Sequence, residues 1–159
     1  MLSLHCKRKQ SRWNTIGTKF ANSGITTFPE LGLFTSVVQV ENQAFLGCNL
    51  TELNTRSIKG ISTKGFEGLK VAEPLVFDLL ATVQQWAFYS SNVQFSAFII
   101  RTTQVPNFTG SQLFYYNFKI TNGIYVRDEL VEDFKVAAGW SERASSIKPL
   151  SECPYSIPG

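Results

Sequence analysis

The chain has 159 residues and 17.8 kDa, which suits one domain. It is 43% hydrophobic, 13% aromatic and 17% charged, against a usual charged fraction of about 25%, and that balance excludes a disordered chain. No apolar stretch reaches the ~18 residues of a spanning helix, so no membrane insertion is expected.

The net charge of +3 is unevenly spread. Residues 1–29 hold Lys7, Arg8, Lys9, Arg12 and Lys19 and no acid. The remainder carries ten Lys or Arg against twelve Asp or Glu, 10 − 12 = −2. A basic arm on a mildly acidic body has three readings: a contact with RNA, since each cation near a phosphate releases counterions; an acid-free targeting segment; or a solvated tail. The three cysteines, Cys6, Cys48 and Cys153, form no CxxC pair. They fit a reducing compartment or a lone buried thiol better than a disulfide framework, with Cys48 read as a small buried hydrophobe in a strand. His5, in the arm, is the one imidazole. Neither a zinc site nor a His-based catalytic set can therefore be built on the body, and no cofactor is expected.

After the arm, alternation over residues 33–40 predicts a strand covered on both faces. Residues 44–49 and 56–61 read as two further strands. Gly60-Ile61-Ser62-Thr63-Lys64-Gly65 superficially matches a phosphate loop, but Phe66-Glu67 follow where Lys and Ser or Thr are required. Apolar residues at Leu75, Val76, Leu79, Leu80, Val83, Trp86 and Ala87 have helical spacing. Pro74 at the first position supports a helix over about 74–89. Residues 92–103 and 113–121 alternate as strands, and Asn122-Gly123 predicts a type I′ hairpin returning through 124–127. Residues 131–137 suggest one more strand, and 145–159, with Pro149, Pro154 and Pro158, a loose tail. No internal repeat stands out. The expected fold is mainly β: a β-barrel or sandwich with one α-helix and a C-terminal meander, comprising an arm (1–29), a single β-rich domain (30–144) and the tail (145–159).

Two residue sets invite a chemical reading. Asp128, Glu129, Glu132 and Asp133 form an acidic cluster. It could divide acid and base work between carboxylates in a small-ligand or enzyme domain, or serve as a solvated edge against unwanted strand pairing. Tyr115 and Tyr125 fall on the opposite parity from the expected core, on adjoining strands of the hairpin. They suit stacking on bases or sugars, with Lys119 and Arg127 nearby. Alternatively, with Phe98 and Ile100, they cover the second sheet face against another subunit. Strands apolar on both faces favour the subunit interface, hence a homo-oligomer.

The layout of residues 66–128 resembles a known family. Phe66-Glu67-Gly68-Leu69 is followed by the predicted helix, then a strand ending in Ile99-Ile100-Arg101-Thr102. A glycine-containing loop leads into Phe114-Tyr115-Tyr116-Asn117-Phe118-Lys119-Ile120-Thr121-Asn122-Gly123-Ile124-Tyr125-Val126. This is similar to the central part of the haemolysin co-regulated protein (Hcp) family, the tube subunits of type VI secretion. The resemblance implies a non-enzymatic self-assembling subunit: hexameric rings stacked into a tube, a cargo protein in the lumen, and cytoplasmic assembly with export. The alternative is a small viral coat-like protein whose basic arm binds RNA inside a virion.

Overall fold

Each circuit of this chain returns a residue of the same kind to the same place. The computed structural model describes residues 15–17, 20–28, 39–50, 52–71, 73–89, 94–115 and 117–157. In chain order its strands are β1 (Thr15–Ile16), β2 (Thr27–Phe28), β3 (Gln39–Val40), β4 (Asn49–Leu50), β5 (Glu52–Leu53), β6 (Gly60–Ile61) and β7 (Lys70–Val71). They continue with β8 (Leu75–Phe77), β9 (Thr82–Gln84), β10 (Gln94–Ile100), β11 (Asn107–Thr109), β12 (Lys119–Val126) and β13 (Ile147–Pro149). Every described pairing is parallel. Val40 pairs with Ile61, 21 residues on, and Ala97 with Gly123, 26 residues on. Parallel neighbours need a long crossover, and here the crossover is the rest of the coil. The result is a strand-rich solenoid whose coils stack directly on one another.

Two sheets wall the stack, a five-stranded one ordered β1-β3-β6-β9-β11 and a four-stranded one ordered β13-β12-β10-β8. Ile16, Val40, Ile61 and Val83 point inward from the first, and Leu75, Phe77, Phe98, Ile100, Ile124 and Val126 from the second, all buried in one core. Within that core the rings of Phe45, Phe66, Phe88 and Phe114 stack in a spine, at 5.6, 5.8 and 6.0 Å with interplanar angles of 13°, 11° and 19°. Phe20 extends it at 6.3 Å. Removing one such ring costs about 3–5 kcal/mol.

The spine ends on a helical cap. Helix α1 (Val131–Val136) and the 3-10 turns Asp128–Leu130 and Trp140–Ser146 close the last coil. Trp140 meets Phe114 edge-on at 6.0 Å, and its indole N–H donates to the Pro106 carbonyl at 2.9 Å. In an earlier coil the Phe66 amide donates to the Ala87 carbonyl of the next. For Leu113 and Phe114 the acceptor is the Glu142 carboxylate, at 2.9 and 3.2 Å. One side chain thus supplies the acceptors that a further coil would have brought, and satisfies two amides that would otherwise be orphaned.

Several expectations are corrected. Residues 74–89 form no helix; they run as β8, a corner, β9 and a turn. Leu75, Phe77, Leu80, Val83 and Ala87 are buried while Leu79 is 50% exposed, because two short strands meeting at a corner imitate helical spacing. Asn122-Gly123 makes no hairpin. Strand β12 continues through it, with one extra residue between the pairs Phe95↔Ile120 and Ala97↔Gly123, a β-bulge. Gly123 takes φ 119°, and a Cβ there would lie 2.8 Å from the Ser146 carbonyl oxygen. The C-terminal meander is accordingly a parallel stack. Residues 131–136 are helical rather than a strand. Residues 145–157 are no loose tail, since β13 joins the four-stranded sheet. Part of the expected arm also belongs to the solenoid, through β1 and β2.

Candidate functional site

The outer row of the five-stranded sheet reads Thr15, Gln39, Gly60, Thr82 and Asn107 across the register. Alongside it run Ser62, Gln84 and Thr109. Apart from Gly60 these are uncharged amides and hydroxyls, with exposed Glu41 beside Ser62 in the second row. They bond one another along the stack: Gln39 Nε2 donates to Ser62 Oγ at 2.8 Å, and the Thr63 amide donates to Gln84 Oε1 at 3.0 Å. One step further, Gln85 Oε1 accepts from the Ser111 amide at 3.2 Å and its hydroxyl at 3.0 Å.

The chain then turns sharply, and the same turn recurs in successive coils. Asn22, Gln43, Lys64 and Trp86 occupy it with φ of 53°, 56°, 56° and 54°. Asn tolerates this left-handed region, but a bulky residue there is strained by about 1–2 kcal/mol. Trp86 accepts that strain, and its shielded indole N–H has no hydrogen-bond partner among the described residues. The turn gathers an aromatic corner. Trp86 lies 6.4 Å from Tyr89 and 6.3 Å from Tyr115, and the two tyrosine rings are 4.2 Å apart. A hydrogen bond with Tyr89 holds the Tyr115 phenol above its ordinary range. Lys64 places its ammonium 4.6 Å from the Tyr89 ring centre and 3.6 Å from Glu67.

A second corner is charged. Asp78 Oδ1 accepts from Arg101 Nε at 2.6 Å, while Oδ2 accepts from Arg101 Nη2 at 2.9 Å and Arg56 Nε at 2.6 Å. Arg127 Nε extends the ladder to the Arg101 carbonyl at 3.1 Å. Burial pushes the Asp78 carboxyl up, but the hydrogen bonds and charges of Arg101 and Arg56 outweigh it and hold it below the usual carboxylate range. A carboxylate fixed in its ionised form between two guanidiniums is a structural clamp, unsuited to proton transfer at neutral pH.

The residues expected to carry function are dispersed. Lys7, Arg8, Lys9, Arg12 and Lys19 lie outside the described residues. Asp128, Glu129, Glu132 and Asp133 are exposed on the cap. Hydrogen bonds from Ser151 hold Asp128 below the ordinary range, and Glu132 pairs with Lys135 at 2.7 Å. Phe98 and Ile100 point into the main core, fully covered by their own chain. Tyr125 is 3% exposed and belongs with Ala97 and Ile99 to a separate apolar strip on the outside of the four-stranded sheet. The C-terminal segment straps that strip: Leu150, Cys153, Tyr155 and Ile157 pack on it, and the Asn122 side-chain amide bonds the Tyr155 hydroxyl. The second apolar face therefore has a cover within the chain. Tyr115 stands instead at the aromatic corner.

Sequence reasoning missed Lys64, Trp86 and Tyr89. Their signal was Gln84-Gln85-Trp86 standing one coil after Ser62-Thr63-Lys64. Among the described residues no group of three His, Cys, Asp or Glu is placed to hold a metal, and no helix is long and apolar enough to cross a membrane. Cys48 and Cys153 are free thiols. Burial pushes the Cys48 thiol up, outweighing its hydrogen bonds with Ser23, and the thiol donates to the Phe20 carbonyl at 3.1 Å. No family model matches the chain, and no curated protein matches it.

Proposed function

We propose that this protein is non-enzymatic and serves as a rigid binding scaffold. The observation that carries this reading is the in-register stacking, which sets side chains of successive coils beside one another and turns single residues into linear arrays. Its ionisable groups are used differently: Asp78 is clamped between Arg56 and Arg101, and the 128–133 acids are spread in solvent. The charged contacts these acids make are with cations, Asp78 with Arg56 and Arg101, Glu129 with Arg127 and Glu132 with Lys135, and not with a second carboxylate.

A self-assembling ring or tube subunit of the Hcp kind, with a cargo protein, is a second reading. The apolar strip of Ala97, Ile99 and Tyr125 favours it if the strap lifts to admit a second copy. A coat-like protein is a third, favoured by the five cations and no acid in residues 1–29. Native mass spectrometry with an absorbance ratio at 260 and 280 nm separates the three. The expected result is a nucleic-acid-free monomer, because the strip is already strapped. A homogeneous ring would install the assembly reading. Co-purifying RNA that is lost on deleting residues 1–20 would install the coat reading.

A further inference from the structure

We infer that the uncharged face of the five-stranded sheet and the adjoining corner of Trp86, Tyr89 and Tyr115 form a binding surface for a neutral oligosaccharide. The inference rests on the scaffold reading and names its ligand.

Sugar rings offer two kinds of surface, a ring face of C–H groups and a rim of hydroxyls that both donate and accept. The corner supplies half-buried aromatic faces for the first. Amide side chains supply the second. Gln84 and Gln85 accept through Oε1 alone, from Thr63 and Ser111, so the NH2 group of each has no partner among the described residues. Charge argues against a polyanion: Lys64, at this corner, lies 3.6 Å from Glu67 and over the Tyr89 and Trp86 rings, 4.6 and 6.0 Å from their centres. Nucleic-acid stacking sites add cations along the backbone track, whereas the rows here hold Thr, Gln, Ser and Asn.

Trp86 supplies an independent argument. The turn it occupies takes Asn22 and Gln43 in earlier coils, so the fold does not need an indole there. A strained backbone and an unpaired indole N–H are retained together at one residue. Such outliers point from structure to function.

The test titrates the intact chain with chitohexaose, cellohexaose and maltoheptaose by calorimetry and tryptophan fluorescence, with heparin and a polyproline peptide as controls. At least one neutral sugar is expected to bind, with neither control binding. Trp86→Asn is expected to weaken that binding at least about tenfold, as loss of a stacking ring does. Its melting temperature is expected to be equal or higher, because Asn suits the left-handed turn. Tyr115→Ala, with folding checked by circular dichroism, should weaken binding by a similar factor. Binding unchanged in a folded Trp86→Asn protein overturns the proposal. So does binding of a control in place of the sugars, or absence of any sugar binding at millimolar concentration. A monomer that binds none of these sugars refutes the ligand class and leaves the scaffold reading standing; a ring or an RNA complex refutes the scaffold reading itself.

Discussion

The two outer walls of the solenoid are built on the same alternation and treated oppositely. On the five-stranded sheet the outward positions are Thr15, Gln39, Thr82 and Asn107, uncharged and in contact with solvent. On the four-stranded sheet the outward row is Val76, Ile99, Tyr125 and Lys148, three of them apolar, with the strap laid over it. A face of Val, Ile and Tyr left open would form an apolar patch of the kind that drives association. A face of Thr, Gln and Asn carries no such penalty and keeps its hydrogen-bonding groups available. Apolarity on both sides of a strand therefore does not by itself call for a second subunit. In this chain eight residues, 150–157, supply the cover.

The largest expected effect tests that difference directly. Ile99→Asp places a carboxylate under the strap, where Ile99 is 1% exposed, and is expected to cost about 3 kcal/mol or more. Thr82→Asp on the open wall should stay within about 0.5 kcal/mol. Urea midpoints of the two variants measure the contrast, and equal losses would break it. Truncation after Glu152 comes next. It removes Cys153, Tyr155 and Ile157 from the strip and is expected to cost about 2 kcal/mol, partial burial of two large side chains. Concentration-dependent dimers should appear in sedimentation. A truncated chain that stays monomeric and equally stable would show that the strap covers nothing of consequence.

The legible parts of the sequence were local. Alternation identifies β10 and the two ends of β12, although it divides that strand by a hairpin and extends it back over described residues that form no strand. Cys48 is buried as expected, but after a turn and not within a strand over 44–49. The side of β10 facing the core was misjudged beyond Phe95. Phe95 and Phe98 are both buried in the main core, three residues apart, on either side of the register shift between Phe95 and Ala97. The repeat stayed hidden because only a small residue followed by Phe recurs closely, as Ala44-Phe45, Gly65-Phe66 and Ala87-Phe88. Coil lengths of 21 to 26 residues blur the rest. Nothing local distinguishes Leu75 to Ala87 from an amphipathic helix; the stacked neighbours Phe66 and Phe98 make it two strands and a corner. The aromatic corner was half-visible, since Tyr115 was singled out but its partners arrive from the preceding coil.

The end of the open wall is held by the cap, and a smaller effect sharpens that point. Glu142→Ala leaves the Leu113 and Phe114 amides without acceptors, at an expected cost of about 1–3 kcal/mol. Hydrogen exchange should accelerate at Leu113 and Phe114 while Ile124 and Val126, held in β12, keep their protection. Uniform acceleration across both walls would mean that the cap clamps the whole stack.

The smallest effect belongs to the charged corner, where a change in pH should distinguish structural pairing from mere proximity. The folded-state pKa of Asp78 lies below its ordinary value, which is about 3.9 in an unfolded chain. Stability from this group is therefore fully present above about pH 4 and is lost as pH falls through the lower folded value. Asp78→Asn should lose about 1–2 kcal/mol at neutral pH, discounted for the 22% exposure of the side chain. Below about pH 4 its stability should fall less steeply than that of the parent chain, so that the two acid-unfolding curves converge. Arg101 donates twice to this carboxylate and Arg56 once, so Arg101→Lys, which breaks the two-pronged contact, should move the acid limb further than Arg56→Lys. Equal shifts would mean that the carboxylate responds to net charge at the corner and not to the forked geometry.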